Sequence, residues 1–112
     1  MILYDTSIWI DIFKKRKESN FSDVVLHELV IAELFIGGMS IDYSKLFSDL
    51  YVLKADPVEK ILEFVQHNRL ISSGIGWIDA CLLCSAVESH CKIRTLDQGL
   101  ANVARKLQIL AE

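Results

Sequence analysis

Residues 1–7 read MILYDTS, an apolar run that stops at the carboxylate of Asp5 and is followed by two hydroxyl residues. A short apolar run with this boundary predicts a buried β-strand followed by a helix, which Thr6 or Ser7 would cap. In an open α/β sheet, ligands bind beyond the carboxyl ends of the strands. Asp5 is therefore expected at the mouth of any site that the fold holds.

The rest of the chain alternates strands with helices. Further strands are predicted at residues 24–26, 51–53 and 92–96, with an edge strand at 108–110. Helices are predicted at residues 7–13, 28–36, 42–50, 80–87 and 99–106, and another starts with Pro57 in its first turn and Asp56 as its cap. This alternation favours a parallel sheet. We predict one α/β domain over residues 1–112: a central, mostly parallel sheet of four to five strands with helices on both faces.

Composition narrows the class of protein. The 112-residue chain is 52% apolar, has a net charge of −3 and contains three cysteines. It has no run of the roughly 18 apolar residues that a membrane span needs, and residues 1–7 lack the basic leader of a signal peptide. An odd number of cysteines without a secretion signal predicts reduced thiols and a cytoplasmic protein. The apolar excess predicts a surface that meets a partner protein, a second copy of the chain, or both.

Four acidic residues occupy corresponding places in the predicted fold. Asp5 and Asp97 follow strands, Asp79 opens a helix after a glycine-containing loop, and Glu33 lies within an apolar helix. Glu33 either has a partner there or points to solvent, and the sequence leaves both readings open. Carboxylates crowded at one sheet edge repel each other unless divalent cations lie between them. Hard oxygen ligands suit Mg²⁺ or Mn²⁺, and two such ions can support phosphodiester cleavage.

At this point the sequence resembles a known family, the PIN-domain ribonucleases, and in particular the VapC-type toxins of toxin–antitoxin pairs. The resemblance covers essentially the whole chain and implies the family's three-layer fold. Four segments carry it, in this order: residues 3–11 (LYDTSIWID), residues 30–34 (VIAEL) with Gly37, residues 74–80 (GIGWIDA) and residues 95–97 (TLD). The chain departs from the family at Cys81, where relatives often carry histidine.

The resemblance implies a Mg²⁺- or Mn²⁺-dependent endoribonuclease. Asp5, Glu33, Asp79 and Asp97 match the family's catalytic, metal-binding acids, with Asp5 and Asp79 as the most direct ligands. Ser7 and Thr95 match its supporting hydroxyl positions, and we expect Thr6 to be a supporting residue as well. The implied reaction is attack by a metal-activated water on phosphorus, leaving a 5′-phosphate and a 3′-hydroxyl. The implied partners are RNA, an antitoxin protein and a second copy of the chain.

A basic run ends the first predicted helix and admits two interpretations. It consists of Lys14, Lys15, Arg16 and Lys17. The four side chains are either a solvated end that complements the helix dipole or a contact with the RNA backbone.

Two alternatives to the nuclease remain. Cys81, Cys84, His90 and Cys91 could form a zinc set, but Cys81 and Cys84 share one face of an apolar helix without a turn between them, which favours buried structural cysteines. The other alternative is a catalytically silent PIN-like module that binds RNA or protein.

Overall fold

The structure is a computed structural model that describes residues 1–15, 20–38 and 47–112. It contains four short strands: β1 (Ile2–Tyr4), β2 (Val24–His27), β3 (Val52–Leu53) and β4 (Lys92–Arg94). Five helices connect or follow them: α1 (Thr6–Lys15), α2 (Glu28–Ile36), α3 (Val58–His67), α4 (Trp77–Glu88) and α5 (Gln98–Lys106). The predicted helix over residues 42–50 falls mostly outside the described residues, of which 47 and 48 are helical.

The four strands form one parallel sheet in the order β3-β2-β1-β4. The predicted α/β class is confirmed, with β1 at the centre between β2 and β4. Helix α1 packs against α2, and α3 packs against α4. Because crossovers between parallel strands are right-handed, these two pairs are expected on opposite faces of the sheet. The predicted edge strand at 108–110 is wrong, because this segment contributes only an isolated parallel bridge from Leu110 to Ile93.

Two predicted helix caps are wrong. Helix α1 starts at Thr6 and not at residue 7, and Asp5 is its cap: the Asp5 carboxylate accepts a hydrogen bond from the Ile8 N–H at 3.1 Å. Helix α3 starts at Val58, so Pro57 is the cap position and Asp56 lies outside the helix. Asp is itself a preferred N-cap residue, so the cap of α1 agrees with propensity, whereas Pro57 makes no side-chain hydrogen bond to the start of α3.

The core is built around the sheet. Leu3, Trp9, Leu26 and Ile93 are completely buried within it. Cys81, Cys84 and Cys91 are buried, free thiols, as the structural interpretation of these cysteines predicted. No helix in the described ranges is both long and apolar enough to cross a bilayer.

A buried histidine that the sequence did not flag joins three elements. His27 caps α2: its Nδ1 accepts from the Leu29 N–H at 3.1 Å, so the ring proton is on Nε2, 3.0 Å from the Ser85 Oγ. Ser85 in turn donates to the Lys54 carbonyl at 3.3 Å. Burial lowers the pKa of His27 from 6.5, because the charged ring is poorly solvated. His27 is therefore a neutral residue that links β2, α2 and α4 through hydrogen bonds.

We expect stability to depend on pH through His27. Below pH 6.5 the unfolded chain binds a proton that the folded chain resists, so the free energy of unfolding falls as the pH drops from 6.5 toward the lowered pKa. Urea unfolding at several pH values measures this slope. His27→Gln should be less stable at neutral pH and should lose most of the slope between about pH 7 and 5. An unchanged slope in His27→Gln would refute the assignment.

Candidate metal and phosphodiester site

A cleft of about 490 Å³ opens beyond the carboxyl ends of β1 and β4. All four predicted acids line it: Asp5, Glu33, Asp79 and Asp97. They come from the β1–α1 junction, the middle of α2, the first turn of α4 and the start of α5, which are far apart in sequence. The fold therefore concentrates four carboxylates at one rim of the sheet.

Asp5 is the buried member of this group. It is only 5% exposed and accepts hydrogen bonds from the Ser7 hydroxyl at 2.6 Å, the Ile8 N–H and the Thr95 hydroxyl. Three donors directed at one carboxylate fix its orientation. The predicted hydroxyl residues Ser7 and Thr95 are therefore in direct contact with Asp5.

The same hydroxyls anchor Asp97. The Asp97 N–H donates to the Thr95 Oγ1 at 3.0 Å, and the Leu96 N–H donates to the Ser7 Oγ at 2.9 Å. Asp97 is exposed and caps α5, since its Oδ1 accepts from the Leu100 N–H at 3.1 Å. Two hydroxyl side chains thus tie the strand ends that carry Asp5 and Asp97 into one unit.

Glu33 lies on the solvent side of α2. The expectation of a buried helix around it is wrong, because α2 exposes Ala32, Glu33 and Phe35 and buries Val30 and Leu34. Glu33 is nevertheless partnered: the Thr6 hydroxyl donates to its carboxylate at 2.7 Å. Thr6, predicted as a supporting residue, holds Glu33 toward the cleft.

Asp79 is the acid of this group whose charged form is disfavoured. It is half-buried in the first turn of α4, as predicted. Burial raises the pKa of Asp79, and the negative charges of Asp97, Asp5 and Glu33 raise it further. The four carboxylates therefore interact electrostatically, and their mutual repulsion disfavours the charged form of Asp79.

The donor set fits a hard divalent cation. Four carboxylates supply oxygen ligands, which suit Mg²⁺ or Mn²⁺ better than softer metals, and the open cleft leaves room for water and substrate oxygens. A divalent ion would relieve the repulsion that raises the pKa of Asp79.

The predicted basic run is only partly described. Lys14 and Lys15 are exposed at the end of α1, and Lys15 pairs with Asp11 at 3.0 Å, while Arg16 and Lys17 lie outside the described residues. The end of α1 points away from the cleft mouth, where α1 begins. Contact with an RNA backbone would therefore involve nucleotides at some distance from the acids.

A second polar cluster lies outside the cleft and was missed at the sequence level. Ligand atoms of Asp56, Cys84 and Glu88 lie within 4.8 Å of one another. The Lys60 ammonium already occupies this cluster, 3.6 Å from Asp56 and in close contact with Glu88. Burial raises the pKa of the Cys84 thiol to about 12, so the sulfur stays protonated and is a poor metal ligand. We assign the cluster a structural role, as an ion-paired brace between α3 and α4.

One cleft residue carried a sequence signal that the acids overshadowed. Trp77, the first residue of α4, lines the cleft and is 45% exposed. Trp77 directly follows a glycine-containing loop, and a tryptophan is uncommon at a position outside the core. This pattern could have identified Trp77 as a candidate site residue.

The chain is similar to several known proteins. The PIN domain family model matches residues 2–106. "Ribonuclease VapC32" of Mycobacterium tuberculosis, strains CDC 1551 / Oshkosh and ATCC 25618 / H37Rv, is 30% identical in an alignment that covers 89% of this chain and 87% of the relative.

Solved structures share the fold. A toxin–antitoxin complex from Klebsiella pneumoniae aligns with a TM-score of 0.67 at 17% identity, over 87% of each chain. FitAcB from Neisseria gonorrhoeae aligns with a TM-score of 0.66 at 19% identity, over 94% of each chain. PAE2754 from Pyrobaculum aerophilum aligns with a TM-score of 0.56 at 21% identity, over 91% of this chain and 78% of the other.

Proposed function

The chain belongs to the PIN domain family, and on that premise we propose that it is a metal-dependent endoribonuclease that hydrolyses RNA phosphodiester bonds. The observation that carries the proposal is the cleft lined by Asp5, Glu33, Asp79 and Asp97. The similarity to a relative named as a ribonuclease supports RNA as the substrate.

Asp5 and Asp79 would hold Mg²⁺ or Mn²⁺ most directly, with Asp97 and Glu33 completing the site. When bound, a divalent ion neutralises phosphate charge and makes water a stronger nucleophile. The remaining chemistry belongs to the chain. Ser7 and Thr95 keep the Asp5 carboxylate oriented, and Thr6 keeps Glu33 at the cleft. Little reorganisation is then needed when ion and phosphate arrive.

The test is RNA cleavage by the purified protein with and without a chelator. We expect chelation to stop cleavage, and added Mg²⁺ or Mn²⁺ to restore it, because four bare carboxylates repel a phosphodiester. Glu63→Gln, an exposed acid on α3 outside the cleft, serves as the matched control and should cleave normally. Cleavage that persists in chelator would overturn the metal-dependent mechanism.

We also propose that the protein is a toxin of a type II toxin–antitoxin pair and that it forms a homodimer. Support comes from the structural similarity to a toxin–antitoxin complex and from exposed apolar side chains such as Ile36, which is 89% exposed. Partner proteins commonly cover such surfaces. Sedimentation of the purified chain tests the dimer, and loss of RNA cleavage on adding the cognate antitoxin tests neutralisation.

Lys14 and Lys15 are proposed to contact the RNA backbone, together with Arg16 and Lys17. Each phosphate contact in single-stranded RNA contributes roughly 0.7 to the slope of log K against log salt concentration. Replacing Lys14 and Lys15 with glutamine should therefore flatten the slope by roughly 1.4. Lys92 and Lys106, exposed away from the cleft, provide a control pair of the same charge. Equal slopes in the two double variants would mean that the run is only solvated.

The alternative is a catalytically silent module that binds RNA or protein. It predicts that Asp5→Asn keeps partner affinity and that no condition yields cleavage. If the chain is an enzyme, Asp5→Asn should lose RNA cleavage and keep its fold. The raised pKa of Asp79 favours the enzyme, since a surface that only binds a partner does not need carboxylates that repel each other.

A further inference from the structure

The proposed mechanism gives no role to one feature of the cleft, the exposed indole of Trp77. The chain has two tryptophans, and they have opposite surroundings. Trp9 is completely buried among aromatic rings, whereas Trp77 is 45% exposed and lines the cleft with the four acids. Trp77 lies two residues before Asp79 on the same helix turn. The first turn of α4 therefore places Trp77 and Asp79 at the same cleft.

The backbone next to Trp77 is open to solvent: a methyl group added at Gly76 would meet no atom within 4 Å other than those of its chain neighbours. Ile10, which also lines the cleft, is 41% exposed. Trp77 thus presents aromatic surface to solvent at the edge of the cleft, beside a second apolar side chain.

Charge decides what this surface can bind. The cleft acids repel phosphate groups, so affinity for RNA near the site must come from bound cations or from neutral contacts. A nucleobase is neutral and has a π-face that stacks on an indole whatever the base. Stacking on an aromatic side chain strengthens binding by roughly 5- to 150-fold per base.

Resting on the proposed nuclease function, we propose that Trp77 is a positioning residue on which one unpaired base of the RNA substrate stacks, next to the phosphate that is cleaved. The bases of an A-form duplex already stack on their neighbours, so the contact requires an unpaired nucleotide. The stacked base then sets which phosphodiester lies against the carboxylates.

Substitution tests the stacking. Trp77→Ala should weaken binding of a single-stranded RNA oligonucleotide by roughly 10-fold, and Trp77→Phe should retain most of the affinity. In cleavage, KM should rise while kcat changes little, because the ring binds the base and not the reacting phosphate. Tyr51→Ala is the matched control, since Tyr51 is exposed but does not line this cleft.

An abasic scan identifies the base. An oligonucleotide series in which one nucleotide at a time lacks its base should lose affinity for the wild type at one position and lose nothing further with Trp77→Ala. Such non-additivity marks a direct contact. Trp77 fluorescence provides a readout without cleavage: in chelator, RNA should quench the wild type, whereas Trp77→Phe, which keeps Trp9, should show no quenching.

The outcomes separate this inference from the proposed function. If the wild type cleaves RNA and Trp77→Ala binds and cleaves equally well, stacking is overturned and the nuclease stands. If nothing cleaves but RNA still quenches Trp77, the stacking contact is supported and the nuclease fails. If RNA leaves Trp77 fluorescence unchanged and Trp77→Ala instead alters self-association, the ring belongs to a protein interface and the inference is wrong.

Discussion

Asp79→Asn is expected to abolish RNA cleavage and, in the absence of divalent ions, to raise the melting temperature. The first effect follows because Asp79 is a proposed direct metal ligand, and several kcal/mol of charge stabilisation correspond to a loss of ~10³-fold or more in rate. The second follows because burial and three neighbouring acids disfavour the Asp79 charge. Loss of the favourable contact with the helix dipole, about 0.3–1 kcal/mol, opposes this gain only partly.

The stability effect has a defined pH dependence. The pKa of Asp79 is raised above 3.8 in the folded state, so the folded chain holds a proton that the unfolded chain releases. This contribution to stability is complete below pH 3.8 and is lost as the pH rises through the raised pKa. Asp79→Asn should not lose this stability, so its free energy of unfolding should exceed that of the wild type at neutral pH.

Thermal melts in chelator and in Mg²⁺ measure both effects. Mg²⁺ should raise the melting temperature of the wild type and do so much less for Asp79→Asn, because ligand binding stabilises only the protein that binds it. Glu63→Gln should follow the wild type throughout. An Asp79→Asn protein that melts lower than the wild type in chelator would contradict the repulsion described here.

Trp9→Ala is expected to have the largest effect on folding. The ring is completely buried, with centroids 5.2 Å from Phe21 and from Phe47 and 5.6 Å from Tyr4. Deleting such a ring costs about 3–5 kcal/mol, and a domain of this kind has only about 5–15 kcal/mol in total. We expect a largely unfolded or barely folded protein at 37 °C.

Urea unfolding measures this loss, and two variants bracket it. Trp9→Phe keeps an aromatic ring in the cluster and should cost much less than Trp9→Ala. Trp77→Ala removes the same side chain from an exposed position and should change stability by less than about 0.5 kcal/mol. Equal costs for Trp9→Ala and Trp77→Ala would show that the aromatic cluster does not hold α1 in place.

Much of this architecture follows from periodicity. The alternation of apolar strands and helices predicts the parallel sheet, and helix α2 has the predicted bounds, residues 28–36. The resemblance to VapC-type PIN-domain proteins is also confirmed. The common location of Asp5 and Asp97 is predictable because both follow strand ends, and parallel strands end at one edge of the sheet.

What the sequence misses depends on contacts between distant residues. Propensity allows Asp5 as well as Thr6 to cap α1. The hydrogen bond from Thr95 to the Asp5 carboxylate, across 90 residues, has no local signal. The exposure of Glu33 depends on which face of an almost uniformly apolar helix packs on the sheet. His27 and its link to Ser85 span 58 residues, a separation that no local signal covers.

The central position of β1 has a consequence for synthesis. The hydrogen bond between Thr95 and Asp5 joins residues 90 positions apart, and β1 pairs with β4 on one side. During translation, β1 and Asp5 leave the ribosome long before β4 and Thr95. Nascent chains that stop short of β4 have neither the strand partner nor the hydroxyl that completes the acidic rim. On the proposed endoribonuclease function, truncated products that lack residues 92–97 are expected not to cleave RNA, so activity is expected only once nearly all of the chain has been translated.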